Sequence, residues 1–266
     1  MKPLRPSTVR RLTLVLAMAM LPCAFAQHTV NSADTTTIAE QYLLSAANQE
    51  RSARNLPLLH RDSNLARAAA QHAQVMAEHK SISHQFPGEP ELTSRGASMG
   101  VPFSVISENV AEAPSAVQIH DMWMHSEGHR ANLLDPVVDA VGIRVIARAG
   151  ELYAVEDFAK IVATASLQQQ ESAISALITQ PSRIALASGP DDISAARQTC
   201  AMSSGFSGTR KPWFVMRFTT SSLTQLPAEL KTRLASGRYH QAAVGACSAN
   251  STSPFTSYNI AVLLYP

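Results

Sequence analysis

The chain has 266 residues, of which 45% are apolar and 16% charged. That balance belongs to a globular chain and excludes a disordered tail, a collagen and a coiled coil. The formal charge is +2, but Lys2, Arg5, Arg10 and Arg11 lie in a stretch that reads as a removable leader. Without these four, the basic residues fall below the 20 acidic ones, and nothing implies the basic face that a nucleic-acid partner requires.

Residues 1–26 read as a secretory signal. A basic start precedes an apolar run at 12–21, and Ala24-Phe25-Ala26 places small residues at −3 and −1 of a cut after Ala26. The apolar run is shorter than the roughly 20 residues of a membrane span, and no second run follows, so the expectation is export and release, periplasmic or extracellular, with no membrane span. Pro22 directly before Cys23 argues against a lipoprotein anchor. Residues 27–37 are polar and expected to be loose. Cys200 and Cys247 remain after cleavage, and an even pair in an exported chain predicts a disulfide.

In chain order, residues 38–53 have helical spacing, closed by Asn55-Leu56-Pro57. Asp62 caps a second helix at 63–79, with Leu65, Ala68, Ala69, Ala73 and Met76 as its apolar face. His72 and His79 on that helix read as surface or half-buried histidines. Residues 81–100, with Pro87, Gly88, Pro90 and Gly96, read as loop. Pro114 opens a helix to about residue 126, with Trp123 in its core face. Residues 140–147 and 152–159 form a hairpin around Ala149-Gly150. A change follows residue 165. A helix at 167–180, a linker at 181–190, strands at 211–220 and 259–265 and a short helix at 227–235 mark a smaller C-terminal α/β unit over 168–266. No internal repeat is visible.

Chemistry concentrates in 123–134, where His125, Glu127 and His129 surround a helix end, with Ser83-His84 and Ser107-Glu108-Asn109-Val110 upstream and Glu156-Asp157 downstream. Imidazoles plus a carboxylate could hold zinc with an open position for water, and a free carboxylate could take that water's proton. The ligands lack the i, i+4 spacing of H-E-x-x-H, so a polar network in which these groups satisfy one another is the competing reading.

The order of Ser83-His84, Glu108-Asn109-Val110, Trp123-x-x-Ser126-x-Gly128-His129-Arg130-x-Asn132-Leu133-Leu134 and the hairpin resembles bacterial CAP-domain proteins, the superfamily of cysteine-rich secretory proteins, antigen 5 and pathogenesis-related 1 proteins. The resemblance covers about 40–162, and the opening helix fits it with Leu43-Leu44, Asn48 and Glu50-Arg51. It implies an α+β fold, a three-layer α-β-α sandwich over 38–165, with a cavity lined by two histidines and two acids. His84 and His129 are the expected metal ligands and Glu108 the first acid. Glu127 or Glu156 completes the set, with Glu156 preferred because a strand side chain can point inward. Arg130 and Asn132 are expected to fix the loop after the helix, and Asn109 to bond backbone in its own loop.

The resemblance implies a fold more firmly than an activity. The leading expectation is a non-catalytic exported module that binds Zn2+ or another divalent cation, or a small ligand. One alternative is a metal-dependent hydrolase acting on cell-wall or secreted peptide bonds, with Glu108 and Glu156 catalytic. The other is a sterol- or lipid-binding protein. Small ligands, lipids and cell-wall components are the partners considered.

Overall fold

The computed structural model describes residues 36–180, 184–187, 189–248 and 253–266. The expected leader, the segment up to residue 35, and residues 181–183 and 188 of the expected linker lie outside that set. Among the described residues no helix is long and apolar enough to cross a membrane.

Helix α1 (Ile38–Ser52) starts at a capping box, in which Thr37 and Glu40 bond each other's backbone N–H. Its buried Leu43, Ala47 and Arg51 recur at helical spacing. Arg51 donates to the carbonyls of Pro57, Leu133, Asp135 and Val138 at 2.7–3.2 Å. One buried guanidinium thus ties the end of α1 to carbonyls more than 80 residues away. Strand β1 (His60–Arg61) leads into α2 (Ser63–His79), where Asp62 caps Asn64 and Leu65 as expected.

The first sheet has the order β1-β3-β4-β2. Strands β3 (Ala140–Arg148) and β4 (Glu151–Ile161) form the expected hairpin. Its two-residue turn, Ala149-Gly150, has φ of 54° and 90°. Positive φ at both positions matches the strand twist. Strand β2 (Phe103–Ala113) pairs antiparallel with β4 and lies at an edge of the sheet. On one face α1, α4 (Ala116–His125) and α5 (Glu127–Leu133) bury Leu43, Ile119, Trp123 and Leu133 against Ile143 and Phe158. On the other, α2 packs Ala69, Ala73 and Met76 against Val110 and Val155, and α3 (Leu92–Ser98) follows it. This is the α-β-α sandwich. The approach of α2 is close: a Cβ on Gly142 would lie 2.1 Å from the Leu65 carbonyl carbon.

Three elements depart from the sequence expectation. The expected loop at 81–100 contains α3, the Ser107-to-Val110 motif lies inside an 11-residue strand, and α5 is a separate helix after α4. Pro114 sits before the cap, Ser115, instead of in the first turn.

The C-terminal segment runs α6 (Leu167–Thr179), β5 (Ala185–Leu186), α7 (Pro190–Ala201), β6 (Phe214–Thr220), α8 (Ala228–Ala235), β7 (Gln241–Cys247) and β8 (Tyr258–Tyr265). Its sheet order is β5-β7-β8-β6, with β5 parallel to β7 and the other pairs antiparallel. The first sheet has the same order and the same senses. The correspondence extends to side chains. Glu40 on α1 accepts from Val145 N–H on β3, and Glu171 on α6 accepts from Ala246 N–H on β7. Buried residues follow each at +3 and +7: Leu43 and Ala47, Ile174 and Ile178. Gly245 on β7 admits the α7 backbone as Gly142 admits α2. The structure adds a repeat that the sequence does not display. The repeat lies in topology and burial, which tolerate apolar substitution, and not in residue identity.

Cys200 on α7 and Cys247 on β7 form the expected disulfide, with a Cα–Cα distance of 5.8 Å. Closing a loop of 47 residues is worth about 4 kcal/mol on the chain-entropy estimate. Cys247→Ser should lower unfolding free energy by about 2–4 kcal/mol in urea titrations, and reductant should change the wild type but not the variant. Equal stability of the two proteins under oxidising conditions would contradict this.

Candidate functional site

Edge strand β2 carries the site. Glu108 stands directly opposite Asp157 of β4, and Asn109 opposite Glu156. Side chains alternate along a strand, so Glu108 and Asp157 share the α2 face while Asn109 and Glu156 share the α5 face. This parity sets Glu156, the preferred second acid, on the face away from Glu108. Among strand residues, Asp157 is the acid beside Glu108.

Beneath the surface on the α2 face lies a polar network. Arg95 of α3 is 1% exposed and donates to Glu108 Oε2 and to the Pro90 carbonyl, the latter at 3.2 Å. His72 of α2 is fully buried, with Nε2 donating to the Ser83 carbonyl at 2.7 Å and Nδ1 against Glu89 Oε1 at 2.7 Å. Glu89 also accepts from Phe86 N–H. The loop carrying His84 is therefore held from inside on both sides. Burial first, and the charge on Glu108 second, hold the Asp157 carboxyl well above the usual carboxylate range. The neutral carboxyl is thereby favoured over the carboxylate at Asp157.

His84 Nδ1 lies 2.9 Å from Glu108 Oε1, while its side chain is 62% exposed. The anchored carboxylate orients the ring and leaves Nε2 available. From the opposite face α5 presents His129. Asn109 donates to the His129 carbonyl at 3.0 Å, and Asn132 donates to the Glu108 carbonyl at 3.1 Å and to Asn109 Oδ1 at 3.0 Å. These bonds satisfy part of the strand edge and fix α5 against it. The two imidazoles meet with ring centroids 6.4 Å apart. Burial, then the neighbouring His84, pushes the His129 imidazole below its ordinary value, so it is neutral at pH 7.

The structure thus brings together His84, Glu108 and His129. Glu127 is exposed in the first turn of α5 and borders a shallow depression with Arg130 and Asp135. Glu156 is fully buried on the far face, and neither of its oxygens has a hydrogen-bond partner among the described residues. Arg130 donates to the Met124 carbonyl, and Asn132 locks the helix to the strand, both the expected fixing roles. Asn109 lies in a strand, not a loop. Trp123 is fully buried and donates to the Val110 carbonyl, as expected of a core residue.

Glu89 and Arg95 join the site without having been singled out by sequence, Asp157 was named only beside Glu156, and His72, expected at or near the surface, is fully buried. One signal was present: residue 72 falls within the 65, 69, 72, 76 stripe of α2, whose side chains are buried. Arg95 carries no such signal, because its helix lies in a stretch of loop-like composition.

Among the described residues no group of three or more His, Cys, Asp or Glu is arranged to hold a metal ion. The donor set at the edge is two imidazoles, one oriented by a carboxylate. That fits a two-histidine site, but is short of the three protein ligands usual in catalytic zinc centres.

Residues 44–158 match the family described as CAP, Cysteine-rich secretory protein family. This segment is a CAP domain. The chain is similar to YkwD of Bacillus subtilis, 29% identical over 118 residues, which are 44% of this chain and 46% of that protein. The chain thus spans about half the length of that relative. Among solved structures it is similar to an extracellular SCP-domain protein of Bacillus anthracis, with 30% identity, 45% of this chain, 39% of that one and a TM-score of 0.42. It is also similar to an outer surface protein of Borrelia burgdorferi, with 22% identity, 48% of this chain, 96% of that one and a TM-score of 0.45.

Glu156 generates a pH prediction. Burial raises its pKa from 4.5 to about 8. The folded protein then holds one proton more than the unfolded chain between those values. Stability falls as pH rises from about 4.5 and levels off above about 8. Urea titrations from about pH 5 to 8 should show this decline in the wild type and a clearly shallower one in Glu156→Gln. Equal slopes in the two proteins would contradict it.

Proposed function

We propose that the CAP domain is a non-catalytic binding module of an exported protein, taking a divalent cation, zinc foremost, between His84 and His129. The carrying observation is the pair of imidazoles at the open edge of β2, 6.4 Å between centroids, with His84 backed by a buried carboxylate. A ring nitrogen whose partner nitrogen bonds a carboxylate is an oriented and more basic ligand. His129 is neutral, as a ligand must be. A bound cation would supply a Lewis-acidic point for an anionic or carbonyl group of a second molecule. Glu108 would orient His84, and Arg95 would hold Glu108 in place.

Binding is favoured over hydrolysis by the state of the carboxylates. Both Glu108 oxygens are engaged, one by His84 and one by Arg95. Glu156 is fully buried on the α5 face of the sheet. Neither is free to take a proton from water beside the histidines. Export is supported by the leader-like first 26 residues and by the disulfide.

Calorimetric titration with zinc chloride is the test. The wild type should bind one ion at micromolar or tighter Kd, and the folded His84→Ala/His129→Ala double variant should lose at least tenfold. No saturable heat in the wild type, or equal affinity in the two proteins, would overturn the reading.

A further inference from the structure

The two sheets share one topology, so the layers packed on them can be compared place by place. In the first, 14 residues, 126–139, connect α4 to β3 and include α5. In the second, five residues, 236–240, connect α8 to β7, with no helix. In the first, the space between the end of α1 and Val138 is filled by Leu133 of α5 and by Arg51, which bonds the carbonyls of Leu133, Asp135 and Val138. The second holds a cavity of about 990 Å3 at the corresponding place.

The equivalence is local as well as topological. Ile184 precedes β5 as Leu59 precedes β1, and Tyr239 stands two residues before β7 as Val138 stands before β3. Ile184 and Tyr239 line the cavity, together with Leu177 of α6 and Leu226 and Leu234 beside and on α8. Its wall is continuous with the core cluster of that layer. The volume lies at the upper end of the range of small-molecule pockets.

The chemistry of the rim selects the occupant. Lys231 and His240 line the cavity, Tyr239 adds a hydroxyl, and among the described residues no Asp or Glu lines it. We propose that this cavity is a ligand site for an amphipathic monocarboxylate, with its apolar body among Leu177, Ile184, Leu226 and Leu234 and its carboxylate toward Lys231. The site is separate from the histidines of the first sheet, and the proposal does not depend on cation binding there.

The probe is dodecanoate, titrated into the full chain by calorimetry below its micelle concentration, with dodecanol as the uncharged control. Saturable 1:1 binding is expected, at least tenfold weaker for dodecanol. Ala235→Trp places an indole in the cavity from an exposed position on α8 and should abolish binding while leaving the circular dichroism and melting profile intact. Lys231→Glu should weaken binding at least fivefold. The His84→Ala/His129→Ala variant should bind dodecanoate like the wild type. No saturable binding, equal binding of dodecanol, or binding unmoved by Ala235→Trp would overturn the proposal. So would a synthetic peptide of residues 126–135 that binds and is blocked by Ala235→Trp while dodecanoate does not bind, since the place would then belong to a partner helix.

Discussion

The ion pair between Arg95 and Glu108 is the constraint on which the site depends. Both side chains are nearly sealed from solvent, at 1% and 3% exposure. Removing two charges from water costs several kcal/mol per ion, so such a pair persists only where further bonds complete it. Here Pro90 and His84 supply carbonyls to Arg95, and the second Glu108 oxygen meets His84. A third charge in the same space would be unfavourable, and the Asp157 carboxyl is accordingly held above the usual carboxylate range. The exposed histidine is thereby attached to a rigid interior instead of a mobile loop.

The second constraint is the edge of the sheet. An unpaired strand edge invites association with other chains. Here Asn132 and Asn109 close part of it with side-chain bonds, and those bonds set α5 and His129 in place. The second sheet shows the same frame without this arrangement. On its face toward α7, Val215 and Leu263 pair where the first sheet has Glu108 and Asp157, and Arg217 on the same face donates to the Thr199 carbonyl of α7. Two copies of one topology have thus separated: the first keeps a polar edge, and the second has a cavity in the layer where α5 is missing.

What could be read in the sequence was what repeats locally. The α1 and α2 spacings, the Asp62 cap, the Ala149-Gly150 hairpin and the cysteine pair each have a short-range physical cause, and each stands in the structure. His84, Glu108 and His129 were legible through the resemblance of their motifs. The second acid was not, because Glu156 and Asp157 are neighbours and only strand register decides which faces Glu108. Arg95 was hidden because a seven-residue helix amid Pro and Gly has little periodicity. The repeated topology was hidden because Glu40 and Glu171 correspond through burial and through the strand N–H each accepts, which no residue pattern displays.

The most direct measurement is the zinc affinity of Glu108→Gln, with folding confirmed by its melting profile. If the buried carboxylate orients His84 and raises its basicity, affinity should fall by about 10–100-fold with both histidines intact. Affinity equal to wild type in a folded Glu108→Gln protein would show that the network beneath His84 does not govern the edge, and would contradict the account.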